Sequence, residues 1–313
     1  MMTSLYPVDW VYSDGFTALT VGTFDGLHRG HQYVLRQLHE AAIQRRLIPL
    51  LVTFFPHPRL VVEKPSPSLR LLTSLAEKEW LLQQMPVRQG VRFDFTPAFS
   101  RLSSTQFARL LMERLSPKFI LVGYDHHFGR NREGSFETLQ REGQRKGVEV
   151  LQAAPVMHDG RPISSSRIRK LLSEGRLEAA NDLLGYHYLL MGRVVRGDGW
   201  GRRIGWPTAN LEPLDPFKLI PAPGVYAVRV GWDDRPDRPA MLYIGPIPSF
   251  QSDRYTIETH IFDFSGNLYE RILRVHFLHY IRPPQRVQTV ADLRRMIAED
   301  AHQIRHLFGY SSS

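Results

Sequence analysis

Apolar positions repeat in two different ways along this chain. Up to about residue 184, β-leaning runs alternate with stretches at helical spacing. Residues 16–21 form the first run, and 32–45 carry Tyr33, Val34, Leu38, Ala41 and Ala42 at helical intervals. Residues 46–55 read as a buried parallel strand, ended by Pro56-His57-Pro58, with a loop to about Leu69. Thr73 or Ser74, with Glu77 beyond it, predicts a capped helix. A short strand at 91–95, a helix from Ser103 or Ser104 to Arg114, and strands at 119–122 and 148–153 follow. Helices at 167–174, stopped by Gly175, and on to about 184 close this half. Such alternation predicts a Rossmann-like parallel α/β sheet with right-handed crossovers. Ligands bind such sheets beyond the carboxyl ends of the strands, so the turns at 22–31, 54–58 and 123–130 should converge on one crevice.

From residue 188 the strands shorten and alternate, broken by Gly and Pro: 189–196, 224–232, 240–245, 256–264 and 268–278. This predicts an antiparallel β-barrel or sandwich. A closing helix over 290–306 is apolar at Val290, Leu293, Ile297, Ala301 and Ile304. The fold class is therefore α/β plus all-β, with domains at 1–185 and 186–313.

The turn after the first strand, Val21-Gly-Thr-Phe-Asp-Gly-Leu-His-Arg-Gly-His31, carries the first candidate chemistry. A helix N-terminus presents free N–H groups and a positive dipole end to an anion. Gly22, Gly26 and Gly30 let the backbone approach a polyphosphate, with Phe24 and Asp25 between them. His28 and His31 are three apart and share one face of a first helical turn, where they can stabilise a leaving pyrophosphate. Ser164 and Ser165, with Arg167 and Arg169 in the same first helical turn, form a second anion site.

The second half has its own phosphate loop. Gly197, Gly199 and Gly201 can wrap phosphates with backbone N–H groups, and Arg202 or Arg203 adds charge. Thr208 and Asn210 are hard oxygen ligands suited to Mg²⁺ on a nucleotide. Glu258, in mid-strand and read as facing the barrel cavity, can take a proton from an alcohol.

Composition narrows the classes. Lys and Arg exceed Asp and Glu by 40 to 31, so the balance is basic. The basic residues are dispersed and densest beside Gly and Ser motifs, which points to small-molecule phosphates rather than nucleic acid. No apolar run approaches the roughly 20 residues of a membrane span, and the start lacks a secretory pattern. The cysteine count of 0 excludes disulfides and thiolate metal sites and fits a cytoplasmic protein.

The first turn resembles the signature of the HxGH nucleotidyltransferases, and 164–169 resembles their second signature, Ile-Ser-Ser-Thr-x-Ile-Arg, with Ser166 for the threonine. Thr53-Phe-Phe-Pro-His-Pro58 and Val122-Gly-Tyr-Asp-x-x-Phe-Gly-Arg130 resemble the FMN adenylyltransferase branch. Residues 192–211, Pro223-Gly-Val-Tyr226, 257–264, Leu268-Tyr269 and 277–282 resemble the riboflavin kinase domain. Over about 15–308 the chain therefore resembles the bacterial bifunctional riboflavin kinase/FAD synthetases.

The resemblance implies phosphorylation of riboflavin to FMN, then adenylylation of FMN to FAD with release of pyrophosphate. ATP, Mg²⁺ and flavin are the implied small molecules, with no nucleic-acid or membrane partner and a monomer or weak homo-oligomer. It assigns the kinase general base to Glu258 and the Mg²⁺-ATP ligands to Thr208 and Asn210. The ATP polyphosphate falls to His28, His31, Ser164, Ser165 and Arg169. Phe54, Pro56, His57, Pro58, Asp125 and Phe128 enclose the flavin. This chain departs from the pattern at His126 and His127, at Tyr243 where Asn is usual, at Glu270 where Gly is usual, and at Val287. The alternative is a chain in which the kinase half is impaired and only adenylylation is active.

Overall fold

The computed structural model describes residues 2–4, 15–62, 69–246 and 255–309. Two compact units emerge: Met1–Leu71 with Lys78–Ser165, and Leu72–Glu77 with Ser166–Ser313.

In the first unit, β1 (Met2–Ser4) pairs antiparallel with a later strand at the sheet edge. β2 (Thr17–Val21) leads into α1 (Arg29–Arg45), and β3 (Ile48–Phe55) into the short α2 (Pro58–Val62). α3 (Leu75–Leu82), β4 (Gln89–Asp94), α4 (Ser104–Leu115) and β5 (Pro117–Val122) follow. α5 (Phe136–Lys146) and β6 (Glu149–Gln152) come next, then a hairpin of β7 (Met157–His158) and β8 (Arg161–Pro162). The sheet order is β1-β4-β3-β2-β5-β6, parallel from β4 to β6. β2, β3 and β5 are neighbours running the same way. The turns at 22–31, 54–58 and 123–130 therefore leave from adjacent carboxyl ends, as the strand pattern predicts. Leu19, Val52, Ile120 and Val122 are buried between the sheet and α4.

Two helices of this unit lie where the sequence reading has none. α2 occupies what reads as a loop. α5 is so polar that, beside the buried Glu142, its inner face carries only Phe136, Leu139 and Gly143. Gly143 earns its place there, since a Cβ would lie 2.7 Å from the Val150 side chain on β6.

α6 (Ser165–Ser173) and α7 (Leu177–Leu184) precede the barrel strands β9 (Tyr188–Val195), β10 (Ala209–Pro213), β11 (Gly224–Gly231), β12 (Arg238–Pro246), β13 (Tyr255–Ile261) and β14 (Ile272–Arg282). One turn of helix, α8 (Trp200–Arg203), interrupts the glycine loop, and α9 (Val290–Leu307) ends the unit. The barrel closes in the order β10-β13-β12-β11-β14-β9, all pairs antiparallel. β10 is the strand the periodicity does not reveal. It is short and ends in proline, yet it pairs with β9 and β13 and so completes closure.

α9 packs Ala301 and Ile304 on Val225, Ala227 and Met241. Arg282 at the end of β14 makes a bidentate bridge to Asp300 of α9, at 2.8 and 2.6 Å. Val290, read as part of the apolar stripe, is exposed because it sits in the first turn beside the Thr289 cap.

Residues 72–77 join the barrel unit through a buried ion pair. Lys218 donates to Glu77 Oε2 at 2.7 Å, to Leu72 O at 2.6 Å and to Leu189 O at 2.6 Å. Glu77 also accepts from the backbone N–H of Met191 and of Ser74, and Ser74 caps Glu77 in return. With every donor of the ammonium satisfied, the buried charge is tolerated, whereas removing one partner of such a pair costs about 3–5 kcal/mol.

Candidate active sites

On the α/β unit, the backbone leaves β2 through a turn with Phe24 at φ 47°, Gly26 at φ 83° and Leu27 at φ 37°. Left-handed values at Phe and Leu are uncommon and gather at functional turns. They bring His28 to the N-cap of α1, where its Nδ1 accepts from the His31 backbone N–H at 3.3 Å. The sequence reading starts the helix at 32 with both histidines in its first turn. In the structure the helix begins at Arg29 and His28 caps it. The shared face survives: the two imidazoles stack with centroids 3.7 Å apart and planes 15° apart, and Phe24 meets His31 edge-on at 5.1 Å. Gly30 lies close beneath them: a Cβ there would sit 3.1 Å from His28 Nδ1, so the ring would have to shift by a few tenths of an ångström.

Burial, then the electrostatic influence of His28 and of Lys78, holds the His31 imidazole well below its ordinary pKa. Its Nδ1 is buried and has no hydrogen-bond partner. Thr23 O is a hub, accepting from Lys78 Nζ at 2.6 Å and Thr53 Oγ1 at 3.3 Å. Ser165 Oγ donates to Asp25 O at 2.8 Å, which ties the second signature to the first. Gly22 donates its N–H to Val52 O. Ser164 is half-buried beside Ser165, while Arg169, one turn along α6, groups with the other compact unit.

Phe54, at the end of β3, lies 5.9 Å from Phe107, which lies 5.5 Å from Phe128. One aromatic cluster thus links two of the segments that the resemblance assigns to the flavin. Phe128 is buried within it, Phe54 half-buried at its margin, and Pro56 and Asp125 exposed. His57 and Pro58 are half-buried, and His57 Nδ1 accepts from the Arg59 backbone N–H. His126 stacks on Phe128 at 5.6 Å, with its Nε2 buried and unpartnered. Burial, then the charge of His127, pushes the His126 pKa down to about 4.

That shift carries a stability consequence. An unfolded imidazole, with its ordinary value of 6.5, binds a proton that the folded one refuses. The stabilisation is present above pH 6.5 and lost as pH falls towards 4, amounting at most to about 3 kcal/mol. Denaturant midpoints between pH 7 and 4.5 should fall less steeply in His126→Phe than in the parent; parallel curves would refute this.

On the barrel unit, Asn210, Glu258 and Tyr243 lie side by side across β10, β13 and β12. Ile257, Thr259 and Ile261 are buried, whereas Thr256, Glu258 and His260 alternate with them and are half-buried. Tyr243 packs with the cluster beneath α9. Glu258 therefore projects from the outer face of the barrel, not into its interior as the sequence reading has it. A barrel this small fills its interior with side chains, so the carboxylate takes the opposite face of the strand.

Thr208 Oγ1 donates to Glu258 Oε2 at 2.9 Å. Thr256 Oγ1 is shared between Asn210 Oδ1 at 3.1 Å and Glu258 Oε1 at 3.4 Å. The glycine loop lies on this group: a Cβ on Gly197 would sit 2.2 Å from Asn210 Nδ2, and one on Gly201 2.2 Å from Trp206 O. Arg202 is exposed on α8. Burial, then the Glu258 charge, raises the pKa of the Tyr243 phenol. The segment 247–250 that follows Tyr243 in the kinase pattern lies outside the described residues. Glu270 has φ 67°, a left-handed value that explains why glycine is usual there.

Two members of these clusters escape the sequence reading. Thr256 is two residues from Glu258, so strand periodicity alone places both on one face. Lys78 has no such signal, being one lysine in an ordinary helix.

A family model described as FAD synthetase matches residues 13–167, and one described as riboflavin kinase matches 184–308. A bifunctional riboflavin kinase/FMN adenylyltransferase of Escherichia coli (strain K12) is 36% identical over 93% of this chain and 92% of its own. The chain belongs to this bifunctional family. A Haemophilus influenzae member is 33% identical over 93% of this chain and 94% of its own. The fold is shared by a crystal structure from Streptococcus pneumoniae described as a macrolide-efflux protein. Its TM-score is 0.83 at 31% identity, covering 95% of this chain and 96% of that one. Among the described residues of this family member, no helix is long and apolar enough to cross a membrane.

Proposed function

We propose that this chain makes FAD from riboflavin in two steps at two separate sites, in the cytoplasm. What carries the reading is that each signature gathers its polar residues on its own scaffold: the stacked His28–His31 pair on the sheet, and the Thr208–Glu258 hydrogen bond on the barrel.

On the barrel, Glu258 takes the proton of the riboflavin 5′-hydroxyl as its oxygen attacks the ATP γ-phosphorus, giving FMN and ADP. Thr208, Asn210, Thr256 and Glu258 offer oxygen donors only, a set that suits Mg²⁺ carried by nucleotide phosphates. Bound there, the cation would neutralise charge on those phosphates. Thr208 and Asn210 would hold it, and the loop from Gly197 through Gly201 would offer backbone N–H groups, with the Arg202 guanidinium, to the triphosphate.

On the sheet, an oxygen of the FMN phosphate attacks the ATP α-phosphorus, and the bond to the bridging oxygen breaks to release pyrophosphate. That phosphate is already ionised, so positioning and charge stabilisation suffice. His28, His31, Gly22, Phe24, Asp25, Gly30, Ser164 and Ser165 hold the triphosphate. Phe54, Pro56, His57, Pro58, Asp125 and Phe128 hold the flavin. The activities divide near residue 185.

A second reading, adenylylation alone, draws on Tyr243, whose phenol stands beside Glu258 in place of a smaller amide. One assay separates them. Riboflavin, ATP and Mg²⁺ with pure protein should yield FMN and then FAD by chromatography. FAD from supplied FMN with none from riboflavin would select the second reading, and neither product would refute both.

A further inference from the structure

Among the described residues two lysines are almost wholly buried, and they are not equivalent. Lys218 is 2% exposed and meets three acceptors, one of them a carboxylate. Lys78 is 8% exposed, yet among the described residues its Nζ donates to a single neutral acceptor, Thr23 O. An ammonium has three N–H bonds, and a buried charge left short of partners is expensive. The Asp25 and Glu79 carboxylates act on Lys78 through space and offset part of that cost. Two N–H bonds remain uncommitted.

The surroundings point to what completes them. Lys78 fastens the very turn that leads from β2 to His28, and its charge is felt at His31. His31 Nδ1 is itself buried without a partner. An ammonium and an imidazole with unspent hydrogen-bonding capacity therefore border one turn at the carboxyl edge of the sheet. Phosphate oxygens are acceptors only and form charge-assisted hydrogen bonds with ammonium groups.

We propose that Lys78 is a substrate ligand of the adenylyl-transfer site, its two uncommitted N–H bonds taking an oxygen of a nucleotide phosphate, from ATP or from FMN. The role rests on the adenylyl-transfer reading above, and it adds a cation that lies outside both signatures. By neutralising that oxygen, Lys78 supports approach of one phosphate to another, which is otherwise opposed by like charge.

Lys78→Met, assayed for FAD formation from FMN and normalised to riboflavin phosphorylation in the same preparation, should lose about 10- to 100-fold in kcat/KM, the range of a charge-assisted hydrogen bond. Lys78→Arg, which keeps the charge, should recover part of it. The parent runs alongside: a parent that makes no FAD would overturn the functional reading, whereas an active parent matched by Lys78→Met would overturn this proposal alone. Titrating each substrate separates the sources, because a raised KM for ATP or for FMN names the phosphate that Lys78 holds. A second measurement needs no variant. Brief amine modification of the parent, read by peptide mass spectrometry, should label Lys78 less when ATP or FMN is present. Equal labelling of Lys78 with and without saturating ATP and FMN would also overturn the proposal.

Discussion

Replacing Glu258 with Gln should lower riboflavin phosphorylation by about 10²–10⁴-fold, the range of a general base, and leave FMN-to-FAD conversion within about twofold. The substitution is chosen for what it keeps. Gln retains an amide oxygen that can accept from Thr208 Oγ1, now at 2.9 Å from the carboxylate, and from Thr256 Oγ1. The loop fold above it and the pairing of β13 with β10 and β12 depend on backbone and shape, and both are preserved. What is lost is the capacity to accept a proton. A loss that appeared mainly in KM for ATP would instead make Glu258 a nucleotide or metal ligand. Equal loss of both activities at unchanged melting temperature would mean that the two sites are not separate.

The sheet was legible because parallel strands buried on both faces write themselves as apolar runs, as 48–55 and 117–122 do. Two helix starts were legible to within a residue: the sequence offers Thr73 or Ser74 with Glu77, and Ser103 or Ser104, and the structure takes Ser74 and Ser103. α5 was not, because a helix with one narrow contact stripe carries too few apolar residues to stand out from a loop. β10 was hidden for a related reason. Its short length gives no alternation to count, and only closure of the barrel makes it a strand.

Among candidate site residues, the groupings of His28 with His31 and of Thr208, Asn210 and Glu258 were legible by type and spacing. The direction of Glu258 was not, since alternation says which residues share a face but not which face is inside. Lys78 and Lys218 are indistinguishable as letters, and only tertiary placement gives one three acceptors and the other one.

Replacing His28 with Ala should have the opposite selectivity, lowering FAD formation from FMN by about 10²–10³-fold while riboflavin phosphorylation continues. His28 does two things, and they must be separated. It caps α1 by accepting from the His31 N–H, and loss of a cap costs about 1 kcal/mol. It also stacks on His31 at 3.7 Å, where its proximity adds to burial in holding the His31 pKa down. Asn is a strong N-cap without an imidazole. His28→Asn should therefore restore the melting temperature lost in His28→Ala but leave most of the rate defect. If Asn recovered the rate along with the stability, His28 would be a cap whose effect on chemistry is only to hold His31 in place. If both variants kept full adenylylation, pyrophosphate departure would need its charge stabilised elsewhere, and the stacked pair would be a structural feature of the helix start.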